Sequence, residues 1–295
     1  MTPAKPVGAA ADPVAHSGGF EFVHDLARAL ANGDIALPSY PQVALRLQKL
    51  LADEDSDADQ LVRVLGAEPA LAARIVATAG SAALNPAGRT VADLRTAVVL
   101  LGHDGLRATT AAYAMVQIRR ADEYRPIAAA VADLWRESAP RAAMSFVVAR
   151  HAGLFRPDTA MLAGILADIG KLYLLARARH YPELYADQDL FQEVVRDWHT
   201  HVAQALLENW LIAPEIVAAV RGWGAAHDVP GDSASLADVL ASADLLVGYR
   251  EQPELLQGLI AEHRPTMRLG LKAGCARLLA DSAAELEALQ EVLSG

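Results

Sequence analysis

The chain has 295 residues, 53% of them hydrophobic and 21% charged, enough apolar material for one large core or two modest ones. Its formal net charge of −10 repels phosphate backbones and anionic bilayers, which argues against nonspecific nucleic-acid or membrane-surface binding. The single cysteine, Cys275, excludes an intrachain disulfide and a cysteine-built zinc site, and abundant alanine with only 5% aromatics sets the expected class to all-α.

Residues 1–19 are rich in Ala, Pro and Gly and lack a hydrophobic signal core, so they are expected to form a disordered tail and not a secretory leader. Residues 20–31 read as the first helix, stopped by Asn32 and Gly33. Leu37-Pro38-Ser39-Tyr40-Pro41 is an extended turn into a helix over 41–52, where Val43, Leu47, Leu50 and Leu51 share one face. Ser56 with Asp59 has the form of a capping box ahead of Leu61 and Leu65. Pro69 suits the first position of the next helix, whose inner face carries Leu71 and Ile75. Thr90 with Asp93 opens a helix that Gly102 ends, and Asp104 caps another running to about residue 119.

A long helix over 126–151 ends at Gly153, and an apolar span over 159–178 follows, capped by Asp158. That span approaches membrane-crossing length, yet Asp168 and Lys171 sit in its middle, which favours a buried core helix. Asp189 caps a helix ending near Trp210, Pro214 starts a shorter one, and helices continue over 235–248 and on to 293. No segment sustains a period of two, so no sheet is predicted. The polar break at 116–126 divides the chain. The expected organisation is a tail over 1–19, an N-terminal helical subdomain over 20–120, a second helical subdomain over 121–250 and C-terminal helices over 251–295. A linker this short implies that the two subdomains pack together.

Several constellations suggest chemistry and fail on spacing. His199 and His201 stand two residues apart on a helix, near Asp197, and point to different sides, so they cannot chelate one ion. Leu101-Gly102-His103-Asp104-Gly105 lacks the preceding strand of a phosphate-binding loop and reads as a turn between helices. Ser81 has no Gly-x-Ser-x-Gly frame. Arg119, Arg120 and Arg125 alternate with Asp122 and Glu123, as on a solvated face. Trp135, Trp198, Trp210 and Trp223 have apolar neighbours and read as packing residues, not as a base-stacking platform.

One set of short motifs is more specific through its order and spacing. It comprises Leu37-Pro38 with Pro41, Glu68-Pro69-Ala70-Leu71, Gly80-Ser81, Leu101-Gly102, Leu134-Trp135, the run from Gly164 to Lys171, Leu206-Leu207-Glu208-Asn209-Trp210 with Pro214, and Ala243-Asp244. Over about residues 37–244 the chain resembles the HDOD domain, a family similar to the HD metal-dependent phosphohydrolases. The resemblance implies a multi-helix bundle with an N-terminal helical subdomain packed on an HD-like one. Those hydrolases hold a divalent metal with an early His, a His-Asp pair and a later Asp, and the metal lowers the pKa of a bound water. Placed on that pattern, Glu137 stands at the first His and Ala167 replaces the His beside Asp168. Asp244 matches the last Asp, His199 stands where a further His is common, and Trp223-Gly224 replaces a His-His pair.

Alanine offers no lone pair, so these vestigial positions imply no catalytic residue, no metal and no cofactor. Asp168 is expected to be a buried carboxylate, either paired with a basic neighbour or capping a backbone amide. The resemblance then implies a cytoplasmic, non-catalytic signal-transduction protein, of a kind common in bacteria, that acts through protein partners. Homo-oligomers are possible, and neither nucleic acid nor membrane is an expected partner. About fifty residues follow Asp244, too few for most enzymatic modules, so a stand-alone action through partners is expected. Two alternatives remain open at this point. One is a degenerate phosphohydrolase with Glu137, Asp168 and Asp244 as an all-carboxylate Mg²⁺ or Mn²⁺ site; the other is a nucleotide sensor using the emptied pocket.

Overall fold

The computed structural model describes residues 13–37, 39–53, 56–271 and 275–294, and among them there are helices and turns but no strand. The all-α expectation is thereby met. The first helix, α1 (Pro13–Ala31), begins earlier than expected, so residues 13–19 are helical, while residues 1–12 of the expected tail lie outside the described residues. Four helices follow: α2 (Gln42–Ala52), α3 (Ala58–Gly66), α4 (Pro69–Gly80) and α5 (Leu94–Arg120). The caps sit one to three residues from their expected places. Asp57, not Ser56, caps α3, because its carboxylate accepts from Gln60 N at 2.7 Å while the Gln60 side chain accepts from Asp57 N at 3.2 Å. Asp93, not Thr90, caps α5, accepting from Thr96 N at 2.8 Å. Gly102 does break the helix, with φ 62 and ψ −175, and α5 resumes beyond it.

Leu47, Leu61, Leu65, Leu71, Ile75 and Leu106 anchor one buried cluster, built from α2, α3, α4 and the first part of α5. From Ala108 onward, α5 enters a second and larger cluster that takes in most of the remaining helices. A 3₁₀ turn, Asp122–Ile127, carries Pro126, so the long helix α6 (Ala128–Ala152) starts two residues after that proline and ends at left-handed Gly153. Then come α7 (Pro157–Leu166), α8 (Ile169–Ala178), α9 (Pro182–Ala186), α10 (Gln188–Asn209) and α11 (Pro214–Gly222). The chain closes with α12 (Leu236–Tyr249), α13 (Pro253–Glu262), α14 (Arg264–Arg268), α15 (Cys275–Asp281) and α16 (Ala283–Ser294). Asp187, two residues before the expected Asp189, caps α10 through Leu190 N at 3.1 Å. Arg156 is the flanking residue of α7, so Asp158 lies in its first turn and is not its cap. Although α1 precedes the first cluster in sequence, it packs on α9 and α10, with Phe22 edge-on to Tyr181 at 5.1 Å and Tyr181 donating to Asp25 at 2.7 Å.

The apolar span Pro157–Ala178 is long enough to cross a membrane, yet 94% of its most apolar stretch is buried inside the protein. Two glycines draw that span into the core. A Cβ on Gly164 would stand 2.6 Å from Ala142 Cα of α6, and one on Gly170 would stand 1.9 Å from the His199 carbonyl oxygen of α10. Only glycine permits backbones this close. The span breaks at Asp168, whose φ −99 and ψ 12 leave helical geometry between α7 and α8.

Candidate functional site

The break between α7 and α8 delivers Asp168 into the core, where it is 2% exposed. Facing it from α6 is Arg141, also almost fully buried. Arg141 Nη1 donates to Asp168 Oδ2, and Arg141 Nε donates at 2.5 Å to Asp244 Oδ1 of α12. One guanidinium thus bridges a carboxylate at the α7–α8 break and one on α12. Lys171 Nζ, one helical turn after Asp168, makes an ion-pair contact of 2.8 Å with its Oδ1. Ser138 Oγ lies 2.9 Å from both Asp168 Oδ2 and Leu134 O, so its one proton serves either acceptor in turn. The Trp223 ring covers the far side of Arg141, 4.7 Å from Cζ to the ring centroid, a distance at which the π-face attracts the cation.

The charges follow from this geometry. Burial alone would raise the Asp168 carboxyl, but Arg141 and Lys171 outweigh it and hold the group below the usual carboxylate range. Burial would likewise depress Arg141, and Asp168 with Asp244 more than restores it. Asp244 behaves differently: its side chain is 35% exposed, and burial outweighs Arg141 and raises its carboxyl, with the charge of Asp168 adding to the rise. A water-sized cavity abuts the centre, bounded by Trp135, Ser138, Asp168 and Arg119, with the Arg119 guanidinium 5.7 Å from the Trp135 ring centroid.

The five vestigial positions do not converge. Asp168 and Asp244 meet through Arg141. Ala167 is buried beside Asp168 and offers no donor atom. Glu137 is solvent-exposed and lines an open groove with Asp133, Lys171 and Phe191. His199 Nδ1 lies 2.8 Å from the Val195 carbonyl oxygen one turn earlier on α10, and its own carbonyl receives the close approach of Gly170. Among the described residues, no three His, Cys, Asp or Glu side chains come together as a metal would require. A divalent ion does not fit between Asp168 and Asp244, because a guanidinium already fills the space and takes one oxygen of each carboxylate.

Arg141 is the residue that sequence reasoning misses. Its signal is a lone charge inside Ala139-Pro140-Arg141-Ala142-Ala143-Met144, on the same helix as Trp135 and Ser138. A second buried pair, Arg268 with Asp238, was equally silent. Arg268 Nε donates to Asp238 Oδ1 at 3.0 Å, and the two Nη groups donate to Ala226 O at 2.5 Å and Val229 O at 3.2 Å. Of the four tryptophans, Trp210 stacks on Tyr40 with centroids 4.1 Å apart, in keeping with a packing role, whereas Trp223 has the added task of covering Arg141.

Comparison with known proteins agrees with this architecture. The model of the HDOD domain matches residues 37–224. A candidate metal-dependent phosphohydrolase from Shewanella amazonensis superposes with a TM-score of 0.73 at 22% identity, covering 94% of this chain and 99% of its own. An HDOD domain protein of unknown function from Geobacter sulfurreducens gives 0.61 at 19% identity, covering 94% and 96%. A candidate signal transduction protein from Marinobacter aquaeolei gives 0.55 at 19% identity, covering 95% of this chain and 66% of its own. These likenesses are likenesses of fold. No curated protein matches the sequence.

Proposed function

The chain belongs to the HDOD domain family, and from that premise we propose that it is a non-catalytic bacterial signal-transduction protein that works by binding protein partners. One observation carries the non-catalytic half of this reading: the Arg141 guanidinium stands between Asp168 and Asp244, where the related hydrolases would hold a metal ion. A metal activates water because it has an open position and lowers the pKa of the oxygen it binds. A guanidinium has neither property. It is a cation with no acceptor orbital, permanently charged and here held by two carboxylates. The arrangement keeps the charge balance of a metal centre while removing its chemistry.

The neighbours described as a phosphohydrolase and as a signal transduction protein share this fold, so fold alone does not choose between the two activities. The side chains favour the second. An acidic protein without a catalytic centre acts by recognition, and its net charge of −10 favours partners with locally positive surfaces. Burial of the long apolar span argues against its crossing a membrane, and residence in the cytoplasm is part of the proposal.

Hydrolysis assays with phosphodiesters and nucleotides, in added Mn²⁺ or Mg²⁺, test the reading. The expected result is no turnover and no stoichiometric metal in the purified protein. Metal-dependent turnover that disappears in both Asp168→Ala and Asp244→Ala would overturn it. Affinity capture from the source cell tests the second half, with a stoichiometric protein partner as the expected outcome.

A further inference from the structure

His227 and His263 are distant in the chain, yet their rings face each other with centroids 5.9 Å apart. His227 is exposed and sits in the loop after α11, between Ala226 and Val229. Those two residues are the ones whose carbonyls accept from Arg268, at 2.5 Å and 3.2 Å. His263 is half-buried and stands at the head of α14, the short helix that ends in Arg268. The histidine pair therefore spans the joint that Arg268 clamps, with one ring on the loop and the other on the helix that carries the clamp.

Hydrogen bonding fixes the state of His263. Its Nδ1 accepts from Thr266 N at 3.3 Å and so caps α14. A ring nitrogen accepts only through a free lone pair, so the cap requires a neutral imidazole with its proton on Nε2. A second proton would set a donor against the Thr266 N–H. It would also add a cation where none is answered. The charged groups around His263 are His227 from the loop, Asp238 from α12 and Arg268 from α14. Arg264 adjoins it in the chain, and Glu262 and Asp228, the acids next to the two histidines, are exposed. Asp238 is 1% exposed and already engaged, by Arg268 and by Ser235 N and Oγ at 2.7 Å and 2.8 Å. Burial first, and then His227, hold the His263 imidazole below the ordinary histidine range, against the opposing pull of Asp238.

The loop leads to the buried centre, because Ala226 N donates to Trp223 O at 3.2 Å and the Trp223 ring covers Arg141. We propose that His227 and His263 form an acid-sensitive latch: their protonation removes the cap of α14, drives the two rings apart, releases the loop at 226–229 and lifts Trp223 from Arg141. The closed state favours neutral imidazoles, so closure is complete above the ordinary histidine range. It weakens as pH falls through that range toward the depressed closed-state value, by about tenfold per pH unit for one histidine. The latch needs neither a partner nor the absence of catalysis, so it stands or falls independently of the proposed function.

Acrylamide quenching of tryptophan fluorescence in the full chain, at about pH 7.5 and about pH 5.5, tests the latch, with Trp223→Phe identifying the share due to Trp223. The fraction of Trp223 emission open to the quencher is expected to rise roughly tenfold on acidification, with helical content by circular dichroism unchanged. His263→Asn supplies a cap that does not titrate and should keep Trp223 shielded at both values. His227→Gln should leave a shallower rise, with one proton taken up in place of two. In the assigned NMR spectrum of the parent, the His263 ring should titrate with a midpoint below about 6.5. The proposal is overturned by a parent whose Trp223 stays shielded, by a His263 midpoint at or above the ordinary value, or by a rise that persists undiminished in His263→Asn. A rise lost in Asp244→Asn would assign the response to the carboxyl beneath Trp223 and overturn it too, as would a rise that comes with loss of helix.

Discussion

Two buried arginine–aspartate centres hold the second half of this protein together, and they spend the same chemistry differently. Arg268 gives its donors to one carboxylate and two backbone carbonyls, so it clamps the loop at 226–229 to α12. Arg141 gives its donors to two carboxylates from two elements and lies under an indole. The first is a fastener of ordinary kind. The second sits at the two positions where the resemblance to metal hydrolases places ligands, Asp168 and Asp244. The contrast teaches that two acids from different elements can be kept at the edge of an apolar core when one side-chain cation balances them both. Burying a carboxylate such as Asp168 without a counter-charge would be prohibitive.

The contrast is broken most forcefully by removing Arg141. Arg141→Ala leaves Asp168 buried with Lys171 as its one remaining cation, and stability should fall by about 3–5 kcal/mol, measured by urea unfolding. Asp168→Ala should cost a similar amount, because it strands the guanidinium instead. The double variant Arg141→Ala/Asp168→Ala should lose much less than the sum of the two, as contacting partners do. Additive losses would show that the pair is not coupled.

Arg268→Ala should come next, at about 2–4 kcal/mol, because it strands Asp238 and frees two carbonyls that water can partly serve at the surface. Its distinguishing sign is local: the 226–232 loop should become a preferred proteolysis site, whereas Arg141→Ala should not open that loop selectively.

Asp168 and Asp244 also separate by pH. The folded carboxyl of Asp168 is held low, so its stabilising contribution is complete above the ordinary carboxylate range and is lost as pH falls through the depressed folded value. Asp244 has a raised folded value, so its ionisation opposes folding near neutrality and that cost is relieved as pH falls through the raised value. Asp168→Asn should therefore flatten the acid limb of the stability curve. Asp244→Asn, at a partly exposed position, should change stability by only about 1 kcal/mol at neutral pH and by less in acid.

The sequence exposes the helices well because capping residues, prolines and glycines act locally. Pro69, Gly102, Gly153 and Pro214 punctuate the chain where local chemistry says they should. The cap displacements at Asp57, Asp93 and Asp187 reflect several acids or hydroxyls competing within one turn, with the carboxylate of best reach winning. Asp168 is legible as a buried, paired acid, but its partner is not. Arg141 stands 27 residues from Asp168 and 103 from Asp244, and no periodicity in α6 announces a contact made across three elements. The docking of α1 on α9 and α10 is hidden for the same reason, since its partners lie more than a hundred residues downstream.

Glu137 provides the finest test, because two readings of the family pattern give it opposite weight. Its alignment with a metal-binding histidine makes it the third carboxylate of an all-oxygen site with Asp168 and Asp244. Its position on α6 turns it outward, however, into the groove beside Asp133 and Lys171, and one turn later Arg141 occupies the ground between the two aspartates. Glu137→Ala should therefore change stability by no more than about 0.5 kcal/mol, as an exposed helix position does. Mn²⁺ should leave the melting temperatures of parent and variant equally unmoved, since an ion that does not bind the folded state cannot stabilise it. A Mn²⁺-dependent rise in the parent that vanishes in Glu137→Ala would place a metal among these carboxylates and force Arg141 to vacate its position.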